Sequence, residues 1–183
     1  CIQYLFQVNG AHVITLEALR AGGVLHLIQQ AMVDHFGSQC GYCTPGFVMA
    51  LTALVEQQTP FTRTNVELGL TGNLCRCTGY KQIYDAALSL DHEKLPKVSE
   101  RYRNREMEKE LEEILLSPAF VQTTTLMAPS EEKSVFLPAT LSDTAFYLAE
   151  NPELQIVCGG TDVSVQVNKG KTELKKVLCL SQL

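Results

Sequence analysis

Four of the seven cysteines fall in two tight pairs, Cys40-x2-Cys43 and Cys75-x1-Cys77, with 31 residues between the pairs. If the pairs serve one site, the chain must fold back so that two short loops meet. The setting repeats as well as the spacing. Cys40-Gly41-Tyr42-Cys43 runs into Thr44-Pro45-Gly46-Phe47, and Cys75-Arg76-Cys77 runs into Thr78-Gly79-Tyr80. Each pair is followed by a threonine able to cap a helix, a Pro or Gly, and an aromatic residue.

Around the pairs the pattern is helical. Val24, Leu27, Ile28, Ala31, Met32 and His35 keep a helical period that ends at Gly37. Thr44 and Pro45 predict the start of a second helix, with Phe47, Val48, Leu51, Leu54 and Val55 as its apolar face. Thr64-Asn65-Val66-Glu67 reads as a capping box for a third. Thr78 is placed to cap a fourth, through Tyr80, Ile83, Tyr84, Ala87 and Leu88. Two helical hairpins related by approximate two-fold symmetry would bring the cysteine pairs together. His26 reads as an exposed or core-edge residue, and His35 as a helix-end residue.

The flanks differ. Ile2–Val8 followed by Asn9-Gly10 predicts a strand and a hairpin turn at the end of a β domain. Ten Lys, Arg and Glu residues between Glu100 and Glu113 predict a solvated helix or linker with charges three or four apart, with a partner-docking helix as the alternative. Residues 118–134, rich in Thr, Ser and Pro, read as linker. Beyond them, Val135–Pro138 reads as a strand, Thr140–Glu150 as a capped helix stopped by Asn151-Pro152, and Leu154–Cys158 and Val177–Leu180 as buried strands. Cys158 and Cys179 are expected to be core residues.

Three chemistries compete for the four paired cysteines. A disulfide is disfavoured, because a Cys-x-Cys pair closes too small a ring for relaxed geometry. The odd, uneven cysteine count also differs from that of disulfide-stapled secreted domains. A four-thiolate structural zinc is the serious alternative. A [2Fe-2S] cluster also takes four thiolates, two on each iron. Its net negative charge suits a position at helix starts, where backbone N–H groups are free. A Rieske centre needs two His ligands, and neither pair has a His beside it.

The blocks GSQCGYCTPGFVMAL and GNLCRCTGYKQI resemble the helical [2Fe-2S] domain of the molybdenum hydroxylases, the family of the xanthine dehydrogenases and aldehyde oxidases. The resemblance implies Cys40, Cys43, Cys75 and Cys77 as cluster ligands, with Gln39 contacting a molybdopterin in a neighbouring catalytic part and Cys77 lying against it. CIQYLFQVNGAHVITLEAL resembles the end of the family's plant-type ferredoxin domain. That makes Cys1 a ligand of a second [2Fe-2S] cluster, conditional on three ligands upstream. Ile156-Val157-Cys158-Gly159-Gly160-Thr161-Asp162-Val163 resembles the first phosphate loop of the family's FAD domain. Its paired glycines after a strand would let N–H groups approach a pyrophosphate, with the Thr161 hydroxyl as a further donor.

The expected architecture is an α+β multidomain fragment, in which an all-α four-helix [2Fe-2S] domain precedes the start of an α/β FAD-binding domain. The expected segments are 1–16 (end of a ferredoxin-like domain), 17–92 (helical cluster domain), 93–134 (linker) and 135–183 (start of the FAD domain). The start at Cys1 and the last strand pattern at Val177–Leu180 suggest a piece of a longer protein rather than a lipoprotein. About fifty residues of FAD domain are too few to enclose a flavin. The implied function is the electron-transfer component of a molybdenum hydroxylase, most like the small subunit of bacterial xanthine dehydrogenases. Electrons would pass from a molybdopterin-bearing catalytic subunit through [2Fe-2S] clusters to FAD and on to NAD or oxygen. The alternatives are a zinc structural or interaction module, and a truncated cluster-binding fragment without a working flavin site. A net charge of −5 without a basic patch argues against nucleic acid. No apolar stretch approaches membrane-span length, and a cytoplasmic setting is expected.

Overall fold

The computed structural model describes residues 3–125 and 128–183, and the chain divides into two units. One is Ile14–Arg103; the other joins Cys1–Val13 to Asn104–Leu183. Cys1 lies outside the described residues. Among those described, no helix is long and apolar enough to cross a membrane.

The first unit is helical. It contains α1 (Leu27–Asp34), α2 (Thr44–Glu56), α3 (Arg63–Gly69), α4 (Lys81–Leu88) and the short α5 (Val98–Arg101). Helix α1 packs on α2 and α4, and α3 packs on the same two, so the four longer helices close a ring. Leu19, Ile28, Phe47, Leu51, Val66 and Ile83 are fully buried at its centre. Each such side chain contributes roughly 1.5–3 kcal/mol relative to an exposed position.

The helix starts differ in detail from the sequence reading. Helix α1 begins at Leu27 rather than Val24, because His26 caps it. The His26 Nδ1 accepts from the Ile28 N–H at 3.3 Å, and Gln29 Oε1 accepts from the His26 N–H at 3.0 Å. Val24, expected on the buried face, is 71% exposed. Cys43, not Thr44, is the residue before α2, and the Thr44 hydroxyl donates to Ser38 Oγ at 2.7 Å instead of capping. Thr62 caps α3 by accepting from the Asn65 N–H, two residues ahead of the expected box at Thr64. Thr64 lies inside the helix, and Glu67 pairs with Arg63.

The unit also runs past the expected boundary at 92. The Glu56 carboxylate, at the end of α2, accepts from the Val98 N–H at 2.7 Å and the Ser99 N–H at 3.2 Å. It thereby satisfies free N–H groups at the start of α5. Tyr102 Oη donates to the Ala18 carbonyl at 2.7 Å, and an Arg101 guanidinium N–H to that of Leu19 at 2.9 Å.

His26 is buried, contrary to the exposed or core-edge reading. Burial lowers its pKa, the Pro96 carbonyl and Glu56 act to raise it, and Arg101 acts to lower it. A group depressed in the folded state is protonated more readily in the unfolded chain, so its linkage destabilises the fold as pH falls below the ordinary value of 6.5. Acidification from neutral pH through that value is therefore expected to lower the urea midpoint of the helical unit. The drop should be smaller in His26→Asn, which keeps a capping oxygen and loses the titration. Equal pH slopes in the two proteins would refute this.

The second unit is a mixed sheet with helices. It comprises α6 (Arg105–Leu115), β1 (Ala119–Thr125), β2 (Ala128–Leu137), α7 (Leu141–Glu150), β3 (Gln155–Val157), α8 (Thr161–Asn168) and β4 (Lys176–Cys179). The strand order is β1-β2-β4-β3; β1 runs antiparallel to β2, while β4 lies parallel to both β2 and β3. Residues 118–134, expected to be linker, are thus largely strand. The Thr, Val and Phe residues of Ala119–Thr125 favour an extended chain, and pairing with β2 satisfies their backbone groups. Helix α6 forms within the charged stretch, where Asn104 caps it by accepting from the Glu106 and Met107 N–H groups. Helix α7 has the expected Thr140–Asp143 capping box, and its Tyr147 stacks on Phe136 of β2 at 4.2 Å. Leu137, Val157, Val177, Leu178 and Cys179 are buried.

The strand expected before Asn9-Gly10 is a 3-10 turn at Leu5–Val8 instead. Asn9 (φ −58°, ψ 133°) and Gly10 (φ +69°), with the Ala11 N–H on the Val8 carbonyl, make a type II turn. Hairpins favour the primed turns, whose twist matches paired strands, so this turn does not build the expected ladder. The Gln182 side chain instead donates to the Asn9 carbonyl at 2.7 Å.

Candidate metal centre

The two cysteine loops meet. Cys40 Sγ and Cys77 Sγ are 3.4 Å apart, and Cys43 and Cys75 lie near enough for each to shift the other's thiol pKa. Each couple takes one thiol from each motif. Two thiolates bound tetrahedrally to one metal at about 2.3 Å would stand roughly 3.7–3.8 Å apart, close to the Cys40–Cys77 separation. Among the described residues, no three His, Cys, Asp or Glu side chains gather as they would around a single ion. The thiols form two pairs.

The loop backbones explain the arrangement. Gly41 has φ +86°, so a side chain there would be strained even though there is room for one. This left-handed step turns the chain between Cys40 and Cys43, and α2 begins immediately afterwards. In the second loop, Gly79 and Tyr80 are both left-handed, with φ +68° and +70°. Tyr80 is not a glycine, and its unfavourable conformation is held by several contacts. Its hydroxyl accepts from the Cys75 N–H at 3.0 Å, and its ring meets Phe47 edge-on at 6.3 Å and lies over Tyr84 at 6.4 Å.

Thr78 does not cap α4, which starts three residues later. Its hydroxyl lies 3.2 Å from Cys75 Sγ, its N–H reaches the same sulfur at 3.4 Å, and its oxygen accepts from the Tyr80 N–H at 3.2 Å. Sequence reasoning missed this role. The signal was the spacing Cys75-x2-Thr78, which lets a side chain fold back onto a sulfur just as it would onto a helix N–H.

The two ends of the site differ. Cys43 and Cys75 pack against the helical core, whereas Cys40 and Cys77 are exposed. Burial pushes the Cys43 thiol up to about 11, and its contact with Cys75 acts the same way. The Thr78 hydroxyl, then its N–H, brings Cys75 down to about 7. The Tyr42 N–H, then the contact with Cys77, lowers Cys40; that same contact raises Cys77.

Residues 15–88 match the family described as a [2Fe-2S] binding domain. Over 89 residues the chain is 49% identical to a xanthine dehydrogenase of Oryza sativa subsp. japonica, covering 47% of this chain and 6% of that protein. It is 41% identical over 96 residues to the xanthine dehydrogenase iron-sulfur-binding subunit of Escherichia coli O157:H7, covering 51% of this chain and 60% of that subunit. Residues 15–88 are a [2Fe-2S] binding domain similar to those of xanthine dehydrogenases. A third relative, the xanthine dehydrogenase of Drosophila pseudoobscura pseudoobscura, is 28% identical over 199 residues, covering 91% of this chain and 15% of that protein. The chain spans less than two thirds of the length of each of these relatives.

In this [2Fe-2S] domain Gln39 is exposed beside Cys40, and Tyr42 and Leu74 are exposed on the two ligand loops. The remaining sequence-derived site lies in the second unit. β3 ends at Val157, Gly160 is left-handed at φ +75°, and α8 opens at Thr161. The strand leading into the glycine pair lies where the sequence reading put it, one residue shorter at each end, and α8 directly after it was not among the expected elements. Cys158 is exposed, not a core residue as expected; it follows the last residue of β3, where the chain leaves the sheet. The Gln7 Nε2 donates to the Cys158 carbonyl at 2.7 Å, and the Ser181 hydroxyl to the same oxygen at 3.0 Å. Both contacts occupy a carbonyl and leave the loop N–H groups free of them.

Proposed function

We propose that Cys40, Cys43, Cys75 and Cys77 hold a [2Fe-2S] cluster, and that the chain is the electron-transfer part of a molybdenum hydroxylase of the xanthine dehydrogenase kind. The single observation that carries the reading is the meeting of the two loops across the 3.4 Å contact of Cys40 with Cys77, one cysteine from each motif; Cys43 and Cys75, each shifting the other's thiol pKa, are the second such couple. A diiron rhombus takes two sulfurs on each of two metals, whereas one tetrahedral zinc takes four around a point. The cluster supplies a one-electron carrier. The protein's contribution is to fix the thiolates, with the thirteen-residue α2 starting directly after Cys43, where the positive end of its dipole favours negative charge.

The exposed edge formed by Gln39, Cys40 and Cys77 is the side on which a molybdopterin-bearing catalytic partner would sit. In this reading Ile156–Val163 holds the pyrophosphate of FAD, through the Gly159 and Gly160 backbone, the Thr161 hydroxyl and the start of α8. Cys1 would ligate a second [2Fe-2S] cluster together with upstream residues. Electrons would leave the molybdenum centre of the partner, cross the clusters to FAD and reach NAD or oxygen, in the cytoplasm. Support for the flavin half is the strand–glycine–helix geometry together with similarity extending over 91% of the chain.

The test is anaerobic reconstitution of the 183-residue chain with ferrous iron and sulfide. A red-brown protein whose visible absorption bleaches under dithionite, with two irons and two sulfides per chain, is the expected result. A colourless protein that instead retains one zinc would establish the structural-module reading.

A further inference from the structure

Resting on the cluster reading above, we propose that Thr78 is a positioning residue that sets the reduction potential of the centre, by holding its hydroxyl and its backbone N–H on Cys75 Sγ. The geometry orients the hydroxyl. The Thr78 oxygen accepts from the Tyr80 N–H at 3.2 Å, which occupies one of its lone pairs. Its proton is then free to point at Cys75 Sγ, 3.2 Å away. A metal-bound thiolate carries no proton and can only accept, so the direction of that bond follows.

Thr78 is also buried, at 8% exposure. Water therefore competes poorly for the hydroxyl, and a hydrogen bond to charged sulfur counts for more than it would at the surface. Among the described residues, no other member of the four-cysteine set receives a side-chain hydroxyl. Cys40 has the Tyr42 N–H and its contact with Cys77, and Cys43, the residue before α2, makes no side-chain cap bond. The donors thus concentrate on one sulfur of the inner pair, at the end packed against the helical core.

The redox consequence follows from charge. A one-electron donor of lower potential adds one electron; no bond forms or breaks, and no proton is needed. The thiolate-held centre gains one negative charge, concentrated on iron and sulfur. Donors already aimed at a sulfur stabilise that added charge more than they stabilise the oxidised form, so they raise the potential. The same two bonds fix the Cys75 rotamer, and α4 can begin at Lys81 only once the Thr78–Tyr80 turn is in place.

The experiment is a dithionite potentiometric titration of the reconstituted full chain, followed by visible absorption and by electron paramagnetic resonance of the reduced form. Thr78→Val keeps the shape and the N–H and removes the hydroxyl; its midpoint potential is expected to fall below that of the parent. Thr78→Ser is expected to restore it. Tyr80→Phe removes the acceptor of the Cys75 N–H without touching the sulfur, and its shift is expected to be smaller than that of Thr78→Val. An unchanged potential in Thr78→Val, or an equal shift in Tyr80→Phe, overturns the proposal. If Thr78→Val loads no cluster, resonance Raman spectra of the parent decide. An iron–thiolate stretch that moves between H2O and D2O in the parent and in Thr78→Ser alike supports the bond, and an insensitive one overturns it. A parent chain without the cluster spectrum would instead refute the cluster reading itself, a failure separate from any shift in potential.

Discussion

Cys43→Ser is expected to abolish the visible spectrum of the reconstituted chain, while Cys158→Ser leaves it unchanged. Cys43 belongs to the inner thiol pair and stands immediately before the first turn of α2. A serine hydroxyl there deprotonates far less readily than a thiol and is a hard donor where iron–sulfur chemistry uses soft ones. Loss of an outer hydrogen-bonding partner alone typically costs 10–100-fold in metal affinity; loss of a ligand should exceed that. Cys158 sits in the other unit, exposed at the end of β3. Parent-like absorbance in Cys43→Ser would remove this residue from the ligand set. Loss in both variants would show that the substitutions act through folding, which far-ultraviolet circular dichroism would reveal.

Phe47→Ala is expected to cost about 3–5 kcal/mol of stability, a large share of the roughly 5–15 kcal/mol available to a typical domain. The Phe47 ring is fully buried and is among the largest such side chains in the chain. It also lies edge-on to Tyr80, whose hydroxyl holds the Cys75 N–H. Truncation therefore leaves a cavity and loosens the second ligand loop in one step. Urea unfolding should show a much lower midpoint, and cluster retention should fall with it. Leu68→Ala, at a position 66% exposed on α3, is the matched control and should lie within about 0.5 kcal/mol of the parent. A Phe47→Ala cost similar to that of Leu68→Ala would contradict the core assignment.

The sequence revealed the centre more clearly than its surroundings. Four helices and the meeting of the cysteine pairs were legible because period and motif are local signals that agreed with each other. Helix starts were misplaced where competing caps lay close together: Thr62 lies two residues from Thr64, and both belong to residue types that cap. His26 was misread because nothing in its neighbours says that Glu56, Pro96 and Arg101 will pack around it. The strands at Ala119–Thr125 and Ala128–Leu137 looked like linker because their pairing is made with each other and with β4, across distances that a local reading does not see. The turn at Asn9-Gly10 was recognised as a turn, but its type depends on the sign of φ at Asn9, which the dipeptide leaves open. At the site, the meeting of the cysteine pairs followed from spacing, whereas the hydroxyl of Thr78 was assigned to a helix cap instead of to Cys75 Sγ.

The cluster of the Phe47, Tyr80 and Tyr84 rings has a consequence for speed as well as stability in the proposed electron carrier. An electron moves between carriers only when the geometry around each suits both charge states, and every ångström of rearrangement slows it. Here the Tyr80 hydroxyl holds the Cys75 N–H and Cys43 stands directly before a thirteen-residue helix, and packed protein of this kind yields little. A mount that stays still while its charge changes has little to rearrange, so in the proposed electron carrier this small aromatic cluster would favour fast passage in either direction.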